Sequence, residues 1–124
     1  MPGAEAMTAA VHAYVDGFAK GDPGAIAALF ADDATVEDPV GTPVKRGLAE
    51  ILEFYTGSMA TGAKLELLGE PRCAGDMVAF PFAVKLEWGG QKSVIEVIDT
   101  FRINDAGKIS EMRAYWGPAN MKPA

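Results

Sequence analysis

An aspartate interrupts the apolar face of a predicted strand, and it is the clearest sign of chemistry in the sequence. Apolar and polar residues alternate from Val94 to Ile103 with the period of a half-buried strand. Asp99 falls in register with Val97 and Phe101, on the more apolar face. An isolated ionised carboxylate there would be costly, so Asp99 must be paired, hydrogen-bonded or protonated. A protonated carboxyl can donate a hydrogen bond, which an ionised one cannot.

A purely structural role for Asp99 is the alternative. A bulge would reverse the parity of the strand, and an Arg or backbone donors at the strand end would give the carboxylate a partner. Structural ion pairs are a common source of buried acids. The strand by itself leaves both interpretations open.

Two tyrosines occupy apolar stripes of predicted helices. Tyr14 recurs with Val11 and Phe18 at helical spacing, and Tyr55 has the same kind of position on a later helix. A buried hydroxyl needs a hydrogen-bond partner or a ligand. Each tyrosine is therefore either a satisfied core residue or a donor to a bound molecule.

A second candidate acid follows a short predicted strand. Asp38 precedes Pro39, which disfavours the α conformation for it. It is either a turn former or a carboxylate at the mouth of a cavity. Asp32, Asp33 and Glu37 are close competitors, and spacing does not choose among them.

Composition excludes several classes of function. The net charge of −6 argues against nucleic-acid or anionic-membrane binding. The single cysteine, Cys73, cannot form an intrachain disulfide, and no N-terminal run is apolar enough for a signal peptide, so we expect a cytoplasmic protein. The only histidine, His12, falls on the opposite side of its helix from Tyr14. There is no Ser-His-Asp set, metal-ligand cluster or phosphate loop, and we expect no metal or cofactor.

The first half of the chain has helical periodicity. A first helix contains Met7 to Phe18 and ends at Gly21, and Asp22 caps a short second helix that begins with proline. Ala34–Glu37 is a predicted strand and Val40–Gly47 a predicted loop. The third helix starts at Leu48 and is predicted to end near Gly57.

The second half alternates with period 2. A strand around Leu65 is followed by a long one from Val78 to Trp88, where Pro81 predicts an edge position or a bulge. The turn Gly89-Gly90 leads into the strand of Asp99. The last strand is predicted to present one set of side chains on one side: Ser110, Met112, Ala114 and Trp116. This order predicts an α+β domain, a curved antiparallel or mixed sheet wrapped by three N-terminal helices. None of the 11 Lys and Arg residues falls on an inward face, which favours a neutral substrate.

The residues at these positions resemble the bacterial ketosteroid isomerases (steroid Δ-isomerases). The most specific match is Phe30–Pro39, which reads FADDATVEDP. Shorter matches in the same order are Tyr14, Phe54-Tyr55, Val97–Asp99 and Met112–Trp116. The resemblance implies a single ketosteroid isomerase-like domain over residues 1–124, the conical fold shared with scytalone dehydratase and the nuclear transport factors, and a homodimer.

The resemblance also implies roles. Asp38 is expected to be the general base, and Tyr14 with protonated Asp99 to form the oxyanion hole; an aspartic acid kept neutral in this way is an established feature of ketosteroid isomerase. Tyr55 is expected to support Tyr14. The expected apolar walls for a steroid are Phe54, Phe82, Met112 and Trp116. Some members of the family have a tyrosine in place of Phe30, so the hydroxyl chain is expected to stop at Tyr55 here.

Two other classes of function remain open. The same fold hosts dehydratases, cyclases and epoxide hydrolases, which typically use other polar groups, often including a histidine. A non-catalytic binder of steroids or other apolar ligands is the second alternative. Asp38 argues against a simple binder, because a carboxylate at the cavity contributes nothing to apolar binding.

Overall fold

The helices come first in the chain. The computed structural model describes residues 1–124. The three α-helices are α1 (Ala4–Lys20), α2 (Pro23–Ala27) and α3 (Gly47–Met59). Gly21 ends α1 in the left-handed conformation (φ 63°), and the Asp22 side chain accepts a hydrogen bond from the Ala25 N–H at 3.1 Å, as the capping pattern predicts. The third helix runs to Met59, slightly beyond the predicted end at Gly57.

A curved, open, mixed sheet of eight strands packs against these helices. Its strands are β1 (Phe30–Glu37), β2 (Lys45–Arg46), β3 (Lys64–Leu67), β4 (Arg72–Ala74), β5 (Met77–Trp88), β6 (Gln91–Ile103), β7 (Ile109–Tyr115) and β8 (Met121–Pro123). The order is β2-β1-β7-β6-β5-β3, with β4 on β5 and β8 on β6, and only the β1–β7 pair is parallel. The predicted α+β class with a mixed sheet is confirmed.

Four local predictions were wrong, one of which concerns Pro81. The first strand begins at Phe30 rather than Ala34, and the predicted loop Val40–Gly47 contains the short strand β2. Ser110 does not share the inward face of β7, because the β6–β7 register shifts between Arg102 and Ile103. The bulge turns Ile109 into the core, and the Ser110 hydroxyl donates instead to the Arg102 carbonyl at 3.2 Å.

Pro81 lies in an interior strand without a bulge, contrary to the prediction. It pairs with Ile98 of β6 in an unbroken register. On its other side, the β3 pairing stops at Phe82 and the β4 pairing starts at Ala79. The Pro81 carbonyl faces that gap and accepts from the Leu68 N–H at 2.9 Å. The N–H that proline lacks would face the same gap, so no ladder hydrogen bond is lost.

One hydrophobic core of 22 buried residues lies between the helices and the inner face of the sheet. It contains Tyr14 and Tyr55 from the helices and Phe80, Phe101 and Met112 from the strands. The long β5–β6 hairpin turns at Gly89 and Gly90, both with positive φ (59° and 80°), as the sequence predicts. No helix is both long and apolar enough to cross a membrane.

Candidate active site

Tyr14 and Tyr55 form a buried hydroxyl pair. The helix stripes of α1 and α3 face each other across the core, and the two phenolic oxygens lie 2.9 Å apart. Burial, above all, raises the pKa of both phenols well above the usual value, and the nearby carboxylates Asp99 and Asp38 raise it further. Both hydroxyls therefore stay protonated and can donate. The ring of Phe30 lies 5.8 Å from that of Tyr55 and ends the hydroxyl chain there.

Asp99 has the predicted parity and is only 1% exposed. The β5–β6 register is regular through Asp99, so no bulge displaces it. Its strand neighbours on the inner face are Val97 and Phe101, and its cross-strand partners are Phe80 and Ala114. All four are buried and apolar.

The Asp99 carboxyl has no structural partner. Neither Oδ1 nor Oδ2 has a hydrogen-bond partner. The nearest arginine along the strand, Arg102, is outward and pairs with Asp76 at 2.9 Å. Burial raises the pKa of Asp99 well above its usual value, and the charge of Asp38 adds to the effect. Burial without a partner therefore favours the protonated form of this carboxyl.

Asp38 has a more polar setting. It follows the last residue of β1 and is half-buried at the cavity. The indole N–H of Trp116 donates to its Oδ1 at 2.9 Å. Desolvation raises the pKa of Asp38, and the Trp116 hydrogen bond partly opposes that rise. The two acids therefore differ in the expected sense: one has a donor to its carboxylate and the other has none.

The three acids close to Asp38 in the sequence have other surroundings. Asp32 and Asp33 are exposed on β1. The Glu37 carboxylate accepts from the Gly41 N–H at 3.0 Å and lies 3.7 Å from Arg113. Of these four acids, Asp38 alone lines the cavity.

The cavity has a volume of about 400 Å³ and is lined by 17 residues, 13 of them hydrophobic. Six of the residues predicted from the sequence are among them: Tyr14, Asp38, Phe54, Tyr55, Phe82 and Trp116. Asp38 is the only lining residue with an ionisable carboxyl, and the lining contains no Lys, Arg or His. The predicted absence of inward-facing cations is confirmed.

Asp99 and Met112 are not among the lining residues. Met112 is fully buried in the core and presents no surface to the cavity. Asp99 lies two residue pairs beyond Phe82 and Val97, which do line it, and belongs to the next pair on the same face of the sheet. Asp99 therefore lies just behind the inner wall of the cavity. The next inward residue on its strand is Phe101, whose ring centroid is 5.1 Å from that of Tyr14.

Two features of the site were missed by sequence reasoning. Trp116 was expected only as an apolar wall, and nothing local indicates that its N–H reaches Asp38. The outer wall formed by Leu86 and Trp88 was also missed as a binding surface. The signal was present, because both residues continue the alternation of Phe82 and Val84.

No group of three or more His, Cys, Asp or Glu side chains that could hold a metal ion occurs in the structure. His12 is exposed, outside the cavity that Asp38 lines.

Comparison with known proteins places this geometry in a family. Residues 11–112 match the model of the SnoaL-like domain. The chain belongs to the SnoaL-like family. A steroid Delta-isomerase from Nocardioides simplex is 50% identical over 117 residues, covering 93% of either chain. The resemblance to the steroid Δ-isomerases is thereby confirmed.

A solved structure of the family's fold is also similar. The epoxide hydrolase/cyclase-like enzyme SalBIII, studied for pyran ring formation in the polyether salinomycin, superposes with a TM-score of 0.91. The match covers 97% of both chains at 27% identity. This fold therefore carries more than one kind of chemistry.

The burial of Asp99 predicts how stability depends on pH. Its pKa is raised in the folded state, so between the unfolded and folded pKa values the native protein binds more protons. The free energy of unfolding must then fall as pH rises above the unfolded value of about 4. Asp99→Asn is neutral at every pH and should show a weaker fall between pH 4 and pH 8 in urea unfolding. Asp38 contributes in the same direction, so some slope should remain.

Asp33→Asn, on the exposed part of β1, is the matched control and should keep the wild-type slope. An unchanged slope in Asp99→Asn would mean that Asp99 does not change its proton affinity on folding.

Proposed function

We propose that the protein is a steroid Δ-isomerase, which moves the double bond of a Δ5-3-ketosteroid into conjugation with its ketone. The observation that carries the proposal is a pair of unlike carboxyls at a cavity without cations, Asp38 in its lining and the unpartnered Asp99 just behind its inner wall. The isomerase from Nocardioides simplex, at 50% identity, supports the same activity. A neutral, rigid steroid suits a cavity whose lining is mostly hydrophobic.

Asp38 is the proposed general base. Its carboxylate takes the proton from the carbon between the ketone and the double bond. The C–H electron pair moves into the ring system, and the ketone oxygen gains the negative charge of a dienolate. The protonated Asp38 then returns the proton to the far end of the dienolate, which gives the conjugated enone and regenerates the carboxylate. The proton stays on one side chain, and no other reactant is consumed.

A raised pKa suits this role. A stronger carboxylate base removes a carbon proton more readily, provided that it is still ionised at the working pH. Desolvation supplies the higher basicity, and the Trp116 hydrogen bond at 2.9 Å keeps the ionised form accessible. We propose that the same bond orients the carboxylate toward the substrate.

Tyr14 and Asp99 are the proposed donors to the ketone oxygen. Donors aimed at that oxygen are stronger in the transition state than in the ground state, because charge develops there during proton removal. Tyr55 would donate to Tyr14 and leave the Tyr14 proton for the ligand. Asp99 would donate its unpaired O–H at the closed end of the cavity. The apolar surroundings strengthen both bonds.

A cyclase or epoxide hydrolase is the alternative activity, favoured by the similarity to SalBIII at a TM-score of 0.91. Such reactions protonate or activate an ether or epoxide oxygen. The protonated Asp99 could serve as the acid. Against this, enzymes of that kind typically add further polar groups, and the lining here is mostly hydrophobic. The isomerase is therefore the proposal we retain.

We further propose a two-fold symmetric homodimer that uses the outer face of the sheet. Ile98 and Tyr115 are direct partners on β6 and β7 and are 50% and 44% exposed. The exposed side chains of Glu96 and Arg102 lie on either side of Ile98 along the outer face of β6. A mixed face with an apolar centre and a charged rim is typical of subunit interfaces.

The activity is tested by following the ultraviolet absorbance of the conjugated enone. Purified protein with androst-5-ene-3,17-dione and a chelator should give turnover far above the buffer rate. Asp38→Asn should lower kcat by about 10²–10⁴-fold, because an amide cannot accept the carbon proton. Binding of the conjugated product should persist. The exposed Asp33→Asn variant is the control. Absence of turnover in the wild type would exclude the isomerase.

The role of Asp99 is tested by two substitutions. Asp99→Asn keeps one N–H donor and should lower kcat only modestly. Asp99→Leu removes the donor and should cost about 3 kcal/mol, roughly two orders of magnitude in kcat. The acid limb of the pH–rate profile should follow Asp38, and Asp99 should titrate only on the alkaline side. Equal losses in the two Asp99 variants would contradict hydrogen-bond donation.

Assembly is tested by sedimentation equilibrium at micromolar concentration. The wild type should sediment at twice the 13.1 kDa chain mass. Ile98→Glu should sediment as a monomer, because it places a charge in the proposed apolar centre. Leu52→Glu, at an apolar position on α3 that is 41% exposed, should remain dimeric. A wild-type monomer would refute this interface.

A further inference from the structure

We infer that the outer half of the cavity is a subsite for an aliphatic side chain on the steroid ring farthest from the ketone. The inference rests on the proposed function and narrows it to a substrate class: 3-ketosteroids that carry an apolar extension. The subsite is formed by Leu86 and Trp88 of β5 and by the end of α3.

The cavity follows one face of the β5–β6 hairpin. Phe82, Val84, Leu86 and Trp88 all line it, and they are alternate residues of one strand. Val97 and Ile95, the register partners of Phe82 and Val84, line it too. The lining therefore runs without interruption from the pair next to Asp99 to the hairpin turn.

This surface is longer than a steroid nucleus. At about 3.3 Å per residue, the strand from Phe82 to Trp88 extends about 20 Å. With carbon–carbon bonds of about 1.5 Å, four fused rings measure about 10 Å along their axis. A nucleus whose ketone is held at the Tyr14 end would therefore leave Leu86 and Trp88 uncovered.

Trp88 is a large apolar side chain that is mostly in contact with water. It lines the cavity yet is 65% exposed, the largest apolar side chain in the chain with that much surface in water. An apolar ligand group over the indole would remove that surface from water. The Glu87 N–H donates to the Thr61 carbonyl at 3.0 Å and joins the hairpin beside Trp88 to the turn after α3.

The chemistry of the outer half selects an aliphatic group. None of its lining residues is charged. The one ionisable carboxyl of the cavity, Asp38, lies at the other end beside Trp116. The Thr61 hydroxyl already donates to the Ser58 carbonyl at 2.6 Å. Only the Ser58 hydroxyl has no hydrogen bond to another residue, so a distal oxygen on the ligand is the competing possibility that the experiment must separate.

The experiment compares two substrates in three variants. Androst-5-ene-3,17-dione has no side chain, whereas cholest-5-en-3-one, delivered in cyclodextrin, has a long aliphatic one. The measured quantity is the ratio of their kcat/KM values. Trp88→Ala should lower the cholestenone-to-androstenedione ratio about tenfold, because the side chain loses its apolar cover. Trp88→Phe should keep most of the ratio, and Ser58→Ala should keep all of it.

Each other outcome overturns the inference. An unchanged ratio in Trp88→Ala means that the indole does not contact the side chain. A ratio that falls in Ser58→Ala but not in Trp88→Ala assigns the outer half to a polar distal group. Wild-type turnover of androstenedione with none of cholestenone removes the subsite while the isomerase stands.

Failure of the proposed function is a separate result. If neither substrate is isomerised, calorimetric titration with the two conjugated products gives the same comparison without turnover. Tighter binding of cholest-4-en-3-one that depends on Trp88 supports the subsite although the isomerase has failed. If both products bind and the Trp88 substitutions do not change either affinity, the subsite is refuted.

Discussion

The burial of the Asp99 carboxyl without a partner is the constraint on which the site depends. Its two oxygens have no hydrogen-bond partner and its neighbours on the strands are apolar, so burial raises the pKa of the group and favours the protonated form. A protonated acid donates a hydrogen bond that a solvated aspartate never could. The same dry surroundings keep the Tyr14–Tyr55 pair protonated and make its hydrogen bond stronger. The aromatic rings that pack against Tyr14, among them Phe18 and Phe101, therefore strengthen this hydrogen bond in addition to forming part of the core.

Strand β7 contacts both Asp99 and the segment that carries Asp38. Its residue Ala114 is the cross-strand partner of Asp99, and the Ala114 carbonyl accepts from the Val40 N–H at 2.9 Å. The segment that carries Asp38 is therefore attached to the strand beside Asp99. Two residues farther on, Trp116 donates to Asp38 directly. Strand β7 and the residue that follows it thus fix the position of Asp38 relative to Asp99.

The sequence predicted those parts of the site that local periodicity controls. The inward side chain of Asp99 follows from a period of 2, and Tyr14 and Tyr55 follow from helical stripes. Asp38 could not be separated from Asp32, Asp33 and Glu37 by spacing, and only the resemblance to a family chose it.

Features that depend on contacts between distant segments were not predicted from local pattern. The parallel pairing of β1 with β7, the bulge that turns Ser110 away and the hydrogen bond from Trp116 all join segments far apart in the chain. Pro81 shows the same limit, because its tolerance depends on a gap between two strands that precede it.

Three of the polar groups at the cavity come from elements other than β5, which forms one of its walls. Tyr14, Tyr55 and Asp38 belong to two helices and the end of β1, whereas alternate side chains of β5 form a continuous wall. Substitutions at Val84, Leu86 or Trp88 can therefore reshape the chamber without moving an acid or a hydroxyl. Separate mutations can therefore change which ligands the cavity binds and which chemistry its polar groups perform. A lineage with this layout can acquire new substrates first and new chemistry later.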